Sequence, residues 1–139
     1  MNTIDFDKLY EAALAVARPR ELSSHAIAGG VGCALAAESA NIYTGVCIDA
    51  ACSVGFCAEH AAIAAMVTAG ENRITHIVAV NHDGEVLPPC GRCREFISQV
   101  HTLNRDALVM YARGKVCALS ELLPHDWKSV IQDDYTKTL

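Results

Sequence analysis

The chain has 139 residues, enough for one domain with a single core that buries about two thirds of its unfolded surface. Its net charge of −5 argues against a general nucleic-acid binder, which carries a basic patch. Hydrophobic residues make up 52% and charged residues only 19%, as in a subunit that buries extra surface against copies of itself.

The first ten residues are acidic and polar, unlike a secretion signal. No apolar run approaches the ~18 residues of a membrane span. The expected compartment is the cytoplasm. There the seven cysteines, an odd number, point to metal or catalysis rather than to a disulfide framework. No repeat or linker divides the chain, so residues 1–139 read as one domain.

In chain order, apolar positions near helical spacing predict a helix over residues 3–18. Thr3, Asp5 and Asp7 suit its start, and Pro19 ends it. Residues 20–28 read as a loop. Two strands follow at 29–37 and 41–48, joined by the polar turn Glu38-Ser39-Ala40-Asn41. Residues 50–56 read as a loop. Cys57 opens an alanine-rich helix that Gly70 stops; being apolar nearly all round, it should be buried on every side, by a covering layer or by another subunit. Then come a buried strand at 74–80, a turn at Asp83-Gly84, a helix at 90–103, and strands at 107–111 and 116–119. A terminal helical segment over 122–134 is broken near Pro124. Helices alternating with strands predict a three-layer α/β/α sandwich on a mixed five-stranded sheet.

Cys57-Ala58-Glu59 and, 33 residues after Cys57, Pro89-Cys90-Gly91-Arg92-Cys93 carry the chemistry. A catalytic zinc takes three protein ligands and leaves the fourth position to water. Cys57, Cys90 and Cys93 supply the three, and Glu59 is a carboxylate free to move protons. All three cysteines fall at helix starts, where backbone N–H groups favour thiolate. Three thiolates leave a zinc site at −1, a charge that hydrogen bonds or cations behind the ligands must offset. His60, Arg92 and Arg94 are the candidates, although a solvated helix face explains either arginine equally well. Two other readings use the same residues. Cys57, His60, Cys90 and Cys93 could close a structural Cys3His zinc site, or Cys90 and Cys93 could be a redox pair. Neither gives Glu59 a task. Cys33, Cys52 and Cys117 read as small core fillers.

These motifs resemble those of the cytidine deaminases of the small, homotetrameric zinc type. The resemblance covers most of the chain: Val31-Gly32-Cys33-Ala34-Leu35, Thr44-Gly45-Val46-Cys47-Ile48-Asp49-Ala50, both zinc motifs, and Glu121-Leu122-Leu123-Pro124. It implies one zinc per subunit on Cys57, Cys90 and Cys93, with Glu59 as proton shuttle. It also implies hydrolytic deamination of a free cytosine nucleoside, cytidine or deoxycytidine, to the uracil nucleoside and ammonia. Backbone N–H groups at the helix starts, Ala58 among them, would hold ring oxygens. An aromatic at the position of Trp127 would reach the base from a neighbouring subunit; its alternative role is to anchor the last helix.

The sugar segment departs from the family. The usual Asn-x-Glu is Cys47-Ile48-Asp49 here, with a poor replacement for an amide and a carboxylate one methylene shorter. Gly29 stands where the family tends to have an aromatic, and His60 replaces the arginine that commonly follows the catalytic glutamate. The blasticidin-S deaminases, close relatives with the same Pro-Cys-Gly-Arg-Cys-Arg run, act on a cytosine nucleoside antibiotic with an altered sugar. They offer a second reading of the substrate, and another cytosine-bearing metabolite offers a third. No basic, aromatic groove suggests a polynucleotide.

Overall fold

The computed structural model describes residues 4–131. Helix α1 (Phe6–Val16) is capped by Asp5, whose side chain accepts the Asp7 N–H at 2.8 Å. Then follow β1 (Arg20–Ser23), β2 (Ala26–Ala37), β3 (Ile42–Ala50), α2 (Ala58–Thr68), β4 (Ile74–Asn81), β5 (Val86–Leu87), α3 (Gly91–Val100), β6 (Leu108–Ala112) and β7 (Lys115–Ala118).

The described strands form one sheet of seven rather than the expected five. The pairings explain the difference. Residues 26–28 of β2 pair with both β1 and β3, and residues 32–36 pair with both β3 and β4. Thus β1 and β4 share one edge of β2, end to end. In the same way β5 and β6 share one edge of β4. Seven strands therefore stand in five columns. All neighbours are antiparallel except β4 and β6. The strand β1 corrects the loop expected over residues 20–28. Its four side chains are all exposed, so burial leaves no pattern there to read.

Alternation along the strands separates two cores. Ala34, Ala36, Val78, Val80 and Met110 pack with Leu9 and Ala13 of α1. Cys33, Leu35, Ile77 and Val109 face the other way, onto Ala62, Ile63 and Met66 of α2 and Ile97 of α3. This is the expected three-layer arrangement. Two glycines bring the helices close. A Cβ on Gly32 would stand 2.2 Å from the Ala13 carbonyl oxygen, and one on Gly45 would stand 2.3 Å from the Ala62 nitrogen.

Three further expectations change. α2 is not buried on every side within one chain: Ala58, Ala62, Ile63 and Met66 point inward, but Ala64, Ala65 and Val67 are exposed. The helix expected to reach residue 103 ends at Val100. Asn104, fully buried just beyond it, accepts the Ile74 N–H at 2.7 Å and donates to the carbonyls of Asn72 and Ile97. Those bonds hold the segment in a short 3₁₀ turn, Thr102–Asp106. Where a terminal helix was expected, the described residues hold only single 3₁₀ turns at Leu119–Leu122 and Trp127–Ser129. Pro124 and the left-handed His125 (φ 57°) interrupt any longer helix. Residues 132–134 of that expectation, and Thr3, lie outside the described residues.

The contact at Gly45 yields a direct test. Gly45→Ala must push α2 off β3, and urea denaturation should show a loss of about 1–3 kcal/mol. An unchanged midpoint would mean that the close approach is not a constraint.

Candidate active site

α2 and α3 start side by side, and each starts on a cysteine. Cys57 and Cys90 are extended N-cap residues (ψ 158° and 168°). The sulfurs turn toward each other, with Cys57 Sγ 3.6 Å from Cys90 Sγ. Cys93, in the first turn of α3, brings its Sγ to 3.3 Å from that of Cys90. All three sulfurs lie within 4.8 Å of one another. Tetrahedral thiolates at about 2.3 Å from zinc would be about 3.8 Å apart, so the cluster fits the ion with a small outward adjustment. All seven cysteines are free thiols.

The electrostatics suit a cation. Burial pushes the Cys93 thiol far above the ordinary range, and the Glu59 carboxylate adds to the shift. Burial and the Cys90 thiol raise Cys57. Burial opposes thiolate at Cys90 too, but hydrogen bonds from the Cys93 backbone N–H and from the Cys93 and Cys57 thiols outweigh it, so Cys90 is lowered. Glu59 is only 5% exposed. Burial raises its pKa, against hydrogen bonds from its own backbone N–H and from Cys93.

Of the candidates behind the thiols, His60 is in place. Its Nδ1 lies 3.4 Å from Cys93 Sγ, and its ring stacks on Phe96 with centroids 4.6 Å apart and planes 10° apart. Burial, then Arg92, lowers its pKa. His60 is not one of the mutually close ligand atoms, so among the described residues the sulfur cluster numbers three, not four. Arg94 is turned elsewhere, donating to the carbonyls of Pro89 (2.7 Å) and Leu122 (3.2 Å). It braces the loop before Cys90 rather than the sulfurs.

Cys57, Cys90 and Glu59 open onto a cleft of about 760 Å³, a size suited to a small ligand. Cys47, Asp49, Ala58 and Arg92 line it, as do Val31, Phe56, Asn81 and His82. None of the last four was given a role at the site from the sequence. Asn81 and His82 stand at the end of β4, where their only signal was a polar turn. Phe56 sits beside Cys57 and pairs with Ile48 by two backbone hydrogen bonds, 3.0 and 2.9 Å, which close the intervening loop. Trp127 lies away from this cleft, its Nε1 donating to Glu95 at 3.1 Å on α3. Among the spare cysteines, Cys33 is buried core as expected and Cys117 is half-buried. Cys52 is exposed, on a left-handed residue of the loop after β3, and fills no core.

Comparison with known proteins bears on these residues. A cytidine deaminase of Mycobacterium tuberculosis is 32% identical over 68 residues, 48% of this chain and 51% of the relative. The chain thus spans about half the length of the curated relatives it matches. Two crystal structures of cytidine deaminases superpose over 88% of the chain. That from Mycobacterium leprae is 27% identical, with a TM-score of 0.74 and all of its own chain covered. That from Mycobacterium tuberculosis is 26% identical, with a TM-score of 0.74 and 97% covered. Residues 5–110 match the family model described as the cytidine and deoxycytidylate deaminase zinc-binding region. That match takes in both helix starts and all three thiols, and it covers most of the sequence; the chain belongs to this zinc-binding deaminase family.

Proposed function

We propose that the protein hydrolyses the exocyclic amine from a free cytosine nucleoside, cytidine or deoxycytidine, giving the uracil nucleoside and ammonia. One observation carries this reading: a buried carboxylate, Glu59, stands beside a three-thiol cluster in a nucleoside-sized cleft. Bound by the three thiols, zinc supplies the Lewis acidity that makes hydroxide available near neutral pH. Glu59 does the proton work. It takes a proton from the attacking water and delivers it to ring N3, then takes the proton of the new C4 hydroxyl and delivers it to the amine as the C4–N bond breaks and the carbonyl forms. One water is consumed and one ammonia leaves. Burial suits Glu59 to this exchange because it narrows the gap between the carboxylate and its conjugate acid.

The backbone N–H of Ala58, in the first turn of α2, is free to hold a ring oxygen. His60 Nδ1 faces Cys93 Sγ at 3.4 Å, and the tautomer protonated at Nδ1 would relieve part of the thiolate charge. Against a closed structural site, His60 Nδ1 approaches Cys93 but is not within 4.8 Å of all three sulfurs, and Glu59 would have no task there. A cytosine nucleoside with an altered sugar, of the blasticidin S kind, is the second candidate substrate, on the strength of Cys47 and Asp49 in the cleft wall.

Glu59→Gln separates catalysis from structure. The variant should fold, retain zinc, and lose about a hundred- to ten-thousandfold in kcat for cytidine, followed by ultraviolet absorbance and ammonia release. Unchanged turnover, or no turnover of any cytosine nucleoside by the zinc-loaded wild type, would refute the assignment.

We also infer that the working form is a homotetramer. The exposed Ala64, Ala65 and Val67 on α2, and a Trp127 that is 41% exposed outside its own cleft, support such an assembly. Light scattering on an eluting peak should give four times the 14.9 kDa chain. A monomer would contradict both the assembly and any role for Trp127 in a neighbouring cleft. Among the described residues no helix is long and apolar enough to cross a membrane.

A further inference from the structure

The wall of the cleft contains a distortion that bears on which sugars it can hold. Along β2 and β3 the pairing runs from Ala28↔Ile48 directly to Gly32↔Val46. Gly29, Gly30 and Val31 therefore face a single residue, Cys47. A bulge of this kind takes backbone N–H groups out of the ladder. Here the Val31 N–H is recovered by a side chain, donating to Cys47 Sγ at 3.3 Å. From the other side the His82 N–H donates to the Gly30 carbonyl at 3.0 Å. Gly29 is left-handed (φ 88°), and a Cβ there would stand 2.0 Å from the Arg18 carbonyl oxygen, so the bulge is tightly held at its start as well. Gly30, Val31, Cys47 and His82 all line the cleft.

We propose that Cys47 is a positioning residue rather than a sugar contact: its sulfur holds the Gly29–Val31 bulge in place, and the cleft consequently reads the pyrimidine ring far more strictly than the sugar attached to it. The polar side chains on the sheet floor are already engaged. Cys47 accepts from Val31, and a thiol is a weak donor beyond that. Asn81 is committed to its own turn: Oδ1 accepts the N–H groups of Asp83 (3.0 Å) and Glu85 (2.9 Å), and Nδ2 donates to Glu85 Oε1 (3.2 Å). Asp49, Ser53, His82 and Arg92 are exposed, and the His82 ring already faces the Gly30 carbonyl (3.4 Å) and the Asp83 carboxylate (3.6 Å). On β3 this leaves the Asp49 carboxylate for a sugar hydroxyl. A site built to bind a hydroxyl rejects the analogue lacking it by about 10⁴–10⁵-fold. One hydrogen bond to a partly solvated carboxylate corresponds to no more than about 10–100-fold. The substrate class is thus cytosine nucleosides with varied or hydroxyl-poor sugars. This half of the proposal rests on the deaminase reading above; the Cys47 clamp does not.

The test compares cytidine with 2′,3′-dideoxycytidine on wild type, Cys47→Ala and Cys47→Ser, and follows hydrogen exchange at the Val31 amide. Wild type should turn over the two substrates within about 100-fold in kcat/KM. Cys47→Ala should raise KM by about tenfold for both substrates alike, with kcat within about twofold. Its Val31 amide should exchange at least about tenfold faster. Cys47→Ser, whose hydroxyl still accepts the N–H, should recover most of the KM and the protection. A 10⁴-fold preference for cytidine overturns the sugar tolerance, as does failure of the wild type to turn over either substrate, which also refutes the deaminase reading. A Cys47→Ala penalty confined to cytidine would make Cys47 a sugar contact. Unchanged Val31 exchange would remove the clamp whatever the kinetics show.

Discussion

Three thiols drawn to within 4.8 Å of one another are the constraint on which the rest of the structure depends. Such a cluster resists ionisation: burial and neighbouring negative groups push Cys93 and Cys57 upward, and hydrogen bonds pull only Cys90 down. A divalent cation resolves this repulsion, and the fold supplies partial positive charge as well, because Cys57 and Cys90 both cap helix N-termini. The sulfurs occupy positions where a serine or aspartate would ordinarily bond its own helix. Cysteine at both positions puts the sulfurs at a shared centre instead.

Holding two helix starts side by side requires a platform, and the sheet provides it. α2 lies against β3 at Gly45, close enough that no side chain fits between them. α3 packs through Ile97 onto the core that also holds Cys33, Leu35 and Ile77. Where α2 and α3 begin, the ends of β2, β3 and β4 run on uncovered. Their helix-facing residues Val31, Cys47, Asp49 and Asn81 become the floor of the cleft. The site is thus the place where the helical layer stops and the sheet does not. Its thiol end is built on two helix N-termini, and its other end on a bulged strand and loops. The two ends are free to change separately, which fits a chain whose zinc motifs match the family while its sugar segment does not.

The thiol cluster was legible in the sequence because its residues are local: Cys57 with the neighbouring Glu59, and Cys90 with Cys93, each lie within one helical turn. The layers were legible because strands such as β4 alternate cleanly between two cores. What could not be read depends on pairing across the sheet. The strand β1 carries exposed side chains only, and its existence follows from backbone bonds to β2. The bulge opposite Cys47 is invisible in a run of small residues, since nothing in Ala28-Gly29-Gly30-Val31 states which residue lacks a partner. Asn81 and His82 reach the cleft because β4 ends there, and Arg94 misses the sulfurs because two carbonyls hold it. The terminal helix failed because Leu122 and Leu123 pack individually against the core instead of forming one face.

The central claim is a three-sulfur centre with its fourth position open beside Glu59. Zinc K-edge X-ray absorption on the purified protein tests it most directly. The account predicts three sulfurs near 2.3 Å and one oxygen near 2.0 Å, without the outer-shell scattering of an imidazole. A closed shell with a histidine nitrogen in that fourth position would contradict it, because Glu59 would then have no water to act on.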